Sequence, residues 1–94
     1  MRALDTIYRI LKELEKAMSV KDFNTAKISA ERLKISKELW NNVIELLVDN
    51  GYVKGVEMFK DITGELNIDM DNIRITIKGL EFLIEKDPSI VKIA

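Results

Sequence analysis

"ISAERLKISKELW", residues 28–40, carries two helix starts in close succession, and their spacing decides the fold. Ser29 and Ser36 are both of the residue type whose hydroxyl satisfies the unpaired amides of a first helical turn. Ile28 precedes the first serine and Ile35 the second. Leu33 and Trp40 stand five residues beyond those isoleucines, so each serine is flanked by the apolar pair that fixes how a chain enters a helix. Glu31 and Glu38 fall in the first turns, where negative charge favours the helix dipole. Caps so close together predict a short second helix, a tight turn at Lys34-Ile35, and a third helix. That is a helix-turn-helix spacing.

Downstream, "SKELWNNVIELLVDNGYV" (residues 36–53) gives the third helix a marked stop. Gly51 suits the left-handed position just past a helix end, and Tyr52 can fold back as its apolar partner. "YVKGVEMFK" and "IRITIK" have the β-branched and aromatic content of strands. Ile73, Ile75 and Ile77 alternate with Arg74, Thr76 and Lys78, as in a strand with one buried face. The intervening "DITGELNIDMDN" predicts a long hairpin with its own short pairing around Gly64; Asp69, Asp71 and Asn72 read as a turn. Thr76 or Lys78-Gly79 then opens a fourth helix carrying Leu80, Phe82, Leu83 and Ile84. Asp87-Pro88 stops it, with Pro88 placed to begin a last turn, "PSIVKIA".

Upstream, Leu4, Ile7, Leu11, Leu14 and Met18 recur at helical steps beside Ile10 and Ala17, predicting an amphipathic helix with a back rich in Lys and Glu. Glu13 with Lys16 and Lys12 with Glu15 are spaced as local salt pairs. "SVKDFNTAK" (residues 19–27) breaks the period with turn formers. The order is helix, short helix, helix, hairpin, helix. This predicts an α+β winged helix in a single domain over 1–94: helix-turn-helix about 29–50, wing about 52–78, C-terminal helix about 78–87.

The composition, 47% apolar and 33% charged, is that of a folded protein. No apolar run approaches the roughly 18 residues needed to span a bilayer, so no membrane association is expected. The N-terminus does not resemble a signal peptide. There is no Cys and no His, which removes disulfides, thiolate chemistry, the usual zinc ligands and the commonest general base. The expectation is a cytoplasmic, non-enzymatic protein with no cofactor and no metal. Charge is unevenly distributed. Residues 1–37 hold nine Lys/Arg against five Asp/Glu, and residues 38–94 hold six against eleven. A polyanion would find the first part attractive and the second repulsive.

"ISAERLKISKELWNNVIELLVDNGYVKGV" together with "IRITIKGLEFL" resembles the YjcQ-like family of phage-related and bacterial winged-helix proteins, from the first helix to Leu83. The resemblance implies a winged-helix fold and, by analogy, DNA binding in a small regulator. It implies no catalytic residues.

If the third helix entered a major groove, Asn41 and Asn42 could each hold adenine through a two-pronged amide contact. Lys27, Arg32, Lys34 and Lys37 bracket the short helix and its turn, where phosphate contacts are expected. Arg74 and Lys78 would add positive charge from the wing. Against this, Glu38, Glu45 and Asp49 share the outward face of the third helix, and Glu57, Asp61, Glu65, Asp69 and Asp71 accompany the wing cations. Trp40 is read as core through its pairing with Ile35, and Tyr8, Phe23 and Phe59 as core or edge. Two partner classes follow. The leading one is double-stranded DNA. The alternative is another protein, or a second copy, held by the first helix and the apolar C-terminal Ile90, Val91 and Ile93.

Overall fold

Between Ser29 and Gly51 the backbone does what the serine caps require. In the computed structural model, which describes residues 3–86, Ser29 Oγ accepts from Arg32 N at 3.2 Å and opens α2 (Ala30–Leu33). Ser36 Oγ accepts from Leu39 N at 3.1 Å and opens α3 (Lys37–Asp49). The turn between them is a left-handed stop. Lys34 adopts φ 60°, its amide donates to Glu31 O, and the Ile35 amide donates to Ala30 O. This doubly bonded helix ending is the Schellman arrangement, built here on a lysine instead of the usual glycine. α3 ends in the same way. Gly51 has φ 73°, with Gly51 N donating to Val48 O and Tyr52 N donating to Leu47 O.

α1 (Ala3–Ala17) precedes this unit and buries Ile7, Ile10, Leu11 and Leu14 along one stripe. Leu4 and Met18, expected in that stripe, are 60% and 64% exposed, at the start of α1 and just past its end, where the described residues leave them uncovered. Both local salt pairs form, Lys16 to Glu13 at 3.3 Å and Lys12 to Glu15 at 3.7 Å. The segment read only as a turn contains a 3-10 helix, Thr25–Ile28, capped by Asn24, whose side chain accepts from Ala26 N. It delivers Ile28 to the core. Trp40 locks that segment to α3: its Nε1 donates to Ile28 O at 2.8 Å in a buried setting.

The wing divides into two ribbons. β1 (Val53–Lys54) pairs antiparallel with β4 (Arg74–Ile75), and β2 (Glu57–Lys60) pairs with β3 (Leu66–Asp69) around the expected turn at Gly64. Val53, Ile73 and Ile75 point into the core. Ile77, expected to extend the strand, is 77% exposed and begins α4 (Ile77–Lys86) instead. Thr76 makes the switch, since its Oγ1 accepts from Gly79 N at 3.1 Å and caps the new helix. α4 lies close against the ribbon at Gly79, where a side-chain carbon would collide with the Tyr52 carbonyl oxygen and sit 2.7 Å from Ile75 Cγ1. Leu83 of α4 completes a core shared by α1, α3 and the inner ribbon. Each fully buried Leu or Ile there contributes roughly 1.5–3 kcal/mol.

The described residues therefore form an α+β unit of four α-helices and two small antiparallel ribbons, an arrangement compatible with a winged helix. Asp87-Pro88 and "PSIVKIA" lie outside the described residues.

Candidate nucleic-acid interface

Tertiary packing sorts the eight candidate side chains into different neighbourhoods. Lys27 at the end of the 3-10 helix and Arg32 of α2 are both exposed. They line one groove of about 190 Å³ together with Tyr8, Arg9 and Lys12 of α1. Four cations from three consecutive elements thus surround a single depression, with Glu13 as the acid in its wall. Arg9 and Lys12 were legible in sequence only as part of a solvated helix back. Their step of three places them on one side of α1, but nothing local says that α2 packs beside that side.

Lys34 is exposed at the left-handed turn immediately after α2, so its charge follows Arg32 by one short turn of chain. Lys37 opens α3, and its Nζ lies 4.3 Å from the centre of the Trp40 ring. Such a contact is worth roughly 0.5–1 kcal/mol at an exposed position and holds the ammonium against its own helix.

The two asparagines part company. Asn42 is exposed, in line with Glu38, Glu45 and Asp49, all exposed on the outer face of α3. Asn41 is half-buried, and its Oδ1 is sealed from solvent without a hydrogen-bond partner. A two-pronged contact to adenine needs both ends of the amide, and one end of Asn41 faces inward. Of the two asparagines, Asn42 is the exposed one in this conformation.

Arg74 stands directly across the inner ribbon from Lys54, and its Nη1 donates to Ile73 O at 2.9 Å. Lys78 is exposed on the first turn of α4. It shares a shallow groove with Tyr52, Phe82, Glu81 and Glu85, so acids from its own helix temper its charge. The outer ribbon is organised by an acid. Asp61 Oδ1 accepts from Thr63 Oγ1 at 2.5 Å, from Thr63 N at 2.9 Å and from Glu65 N at 3.1 Å. The Thr63 hydroxyl above all, with the backbone amides behind it, holds the Asp61 carboxyl below its ordinary range despite some opposing desolvation. At the same tip Ile62 is 97% exposed.

Phe59, read as core or edge, is exposed, whereas Tyr8 and Phe23 are half-buried against the core as expected.

These features define a class: two serine-capped helices joined by a tight turn, followed by an antiparallel ribbon, with cations gathered beside the shorter helix. The family model described as YjcQ protein matches residues 8–93, and the chain belongs to that family. No curated protein and no solved structure matches it. Among the described residues, no helix is long and apolar enough to cross a membrane.

Proposed function

We propose that this chain is a winged-helix protein that binds double-stranded DNA mainly through its phosphates and acts as a small, non-enzymatic regulator. One observation carries the reading: Arg9, Lys12, Lys27 and Arg32 converge on one groove beside α2, with Lys34 next in the chain. A short helix in this position is where a helix-turn-helix unit meets the sugar-phosphate backbone. Phosphate contacts supply most of non-specific affinity, so such a cluster suffices for binding without base contacts.

The outer face of α3 limits sequence reading. Asn42 is the side chain there suited to a base edge, and Glu38, Glu45 and Asp49 repel the duplex on either side of it. Weak discrimination between sequences follows. The test is a mobility-shift assay with pooled random duplexes at low salt. Binding should strengthen in Glu45→Gln/Asp49→Asn and weaken in Arg9→Gln/Arg32→Gln. Absence of any shift at low salt removes the reading.

A second reading is favoured by a different observation. Ile77 and Ile84 of α4 are exposed, with Leu80 half-buried between them at helical spacing, while Phe82, on another side of α4, lines a separate open groove of about 420 Å³ with Leu4 and Tyr8. Apolar side chains grouped on one face suit a protein partner or a second copy of the chain. Sedimentation velocity across a wide concentration range distinguishes a monomer from a self-associating chain.

A further inference from the structure

A cavity of about 410 Å³ opens between the C-terminal end of α1, the loop after it and the inner ribbon. Its apolar wall is made by Leu14, Met18, Phe23, Ile73 and Ile75, with Ala17 and Val20 alongside. The other described lining residues are Lys21, Lys54 and Arg74, and no carboxylate among the described residues lines it. Among the described residues none of these three cations has an ion-pair partner. Lys54 and Arg74 are cross-strand neighbours, an arrangement of like charges that costs stability in a two-stranded ribbon. Among the described residues, three cations thus meet at an apolar-walled opening with no acid beside them.

We propose that this cavity binds a small amphipathic anion, an acidic head on a hydrocarbon or aromatic body. The body enters against Leu14, Phe23, Ile73 and Ile75, and the head is held by Arg74, Lys54 and Lys21. The volume falls within the range of small-molecule sites, roughly 300–1,000 Å³, and an apolar lining with a few convergent polar groups is their usual chemistry. The Arg74 guanidinium is already oriented by its bond to Ile73 O, which lowers the entropic cost of presenting its remaining N–H groups to a carboxylate. The C-terminus of α1 opposes an anion with about half a unit charge. The carbonyls of Glu15, Lys16 and Ala17 are engaged there by the amides of Met18, Ser19 and Val20, and three full cations outweigh the residual dipole. The anion site does not rest on duplex binding.

The test uses the full chain without DNA and follows methyl resonances during titration with 2-naphthoate and, separately, its neutral analogue 2-naphthalenemethanol. The expected result is that the acid shifts the methyls of Leu14, Met18, Ile73 and Ile75, and binds about tenfold or more tightly than the alcohol. Lys54→Gln/Arg74→Gln should remove most of the acid's advantage over the alcohol, Lys21 retaining the remainder. Three outcomes would overturn the proposal: no shift at millimolar acid, equal affinity for acid and alcohol, or shifts centred on the methyls of Leu4 instead. Both substituted side chains are exposed, so the variant tests charge and not folding.

Discussion

The hydroxyl of Thr76 stands 2.6 Å from the carbonyl oxygen of Gly51 and 3.1 Å from the amide nitrogen of Gly79. It donates to the first and accepts from the second. One side chain therefore fastens the end of α3 to the start of α4, across 25 residues that include the whole wing. The Thr76 amide adds a third tie, donating to Tyr52 O at 3.0 Å. Thr76→Val, which keeps the shape and loses the hydroxyl, should cost about 1–2 kcal/mol by urea denaturation. Thr76→Ser should recover most of that loss. A valine variant as stable as the parent would show that the fastening contributes nothing.

Lys34 occupies a left-handed conformation that L-residues with a Cβ adopt at a cost. Lys34→Gly should therefore raise stability by about 0.5–1 kcal/mol, after allowing for the greater freedom of glycine in the unfolded chain. If the turn also touches phosphate, the same substitution weakens duplex binding. Stability and affinity should move in opposite directions, read by thermal melting and by fluorescence anisotropy.

Trp40 is the only tryptophan. Trp40→Phe retains an aromatic ring but strands the buried Ile28 carbonyl, at a cost of about 1–3 kcal/mol. In the parent, indole emission should shift to longer wavelength on unfolding, in step with loss of helical circular dichroism. An emission maximum already typical of water in the native protein would contradict the core placement.

Asp61 gives the wing a pH dependence of defined sign. Its carboxyl titrates lower in the fold than in the unfolded chain, so the stabilisation is complete above the ordinary aspartate value of about 3.9 and is lost as pH falls through the lower folded value. The amide resonances of Thr63 and Glu65 should titrate together with a midpoint below about 3.9. Asp61→Asn should abolish that titration while leaving α1 and α3 unchanged.

What the sequence made legible follows the range of the interactions. Ser29, Ser36 and Gly51 act within a few residues of themselves, so their caps and stops could be read directly. The alternation of Ile73 and Ile75 located the inner strand, but it continued into Ile77 because nothing in the pattern says that the Thr76 hydroxyl would turn back to Gly79 N. The Asn24 cap was hidden in a run of turn formers. Paired asparagines on a helical wheel look equivalent, and only packing makes Asn41 face inward while Asn42 faces solvent. The approach of Arg9 and Lys12 to Lys27 and Arg32, and of Lys21 to Arg74 and Lys54, depends on how helices and ribbon dock. No local rule supplies that.

The most direct measurement is duplex affinity as a function of salt, by anisotropy of labelled random-sequence DNA, for the parent and for Arg9→Gln/Lys12→Gln/Lys27→Gln/Arg32→Gln. The logarithm of the association constant should fall linearly with the logarithm of salt concentration in the parent. The slope should become shallower by about 0.9 for each replaced side chain that meets a phosphate. A parent that fails to bind at low salt, or a slope unchanged by the four substitutions, would contradict the account.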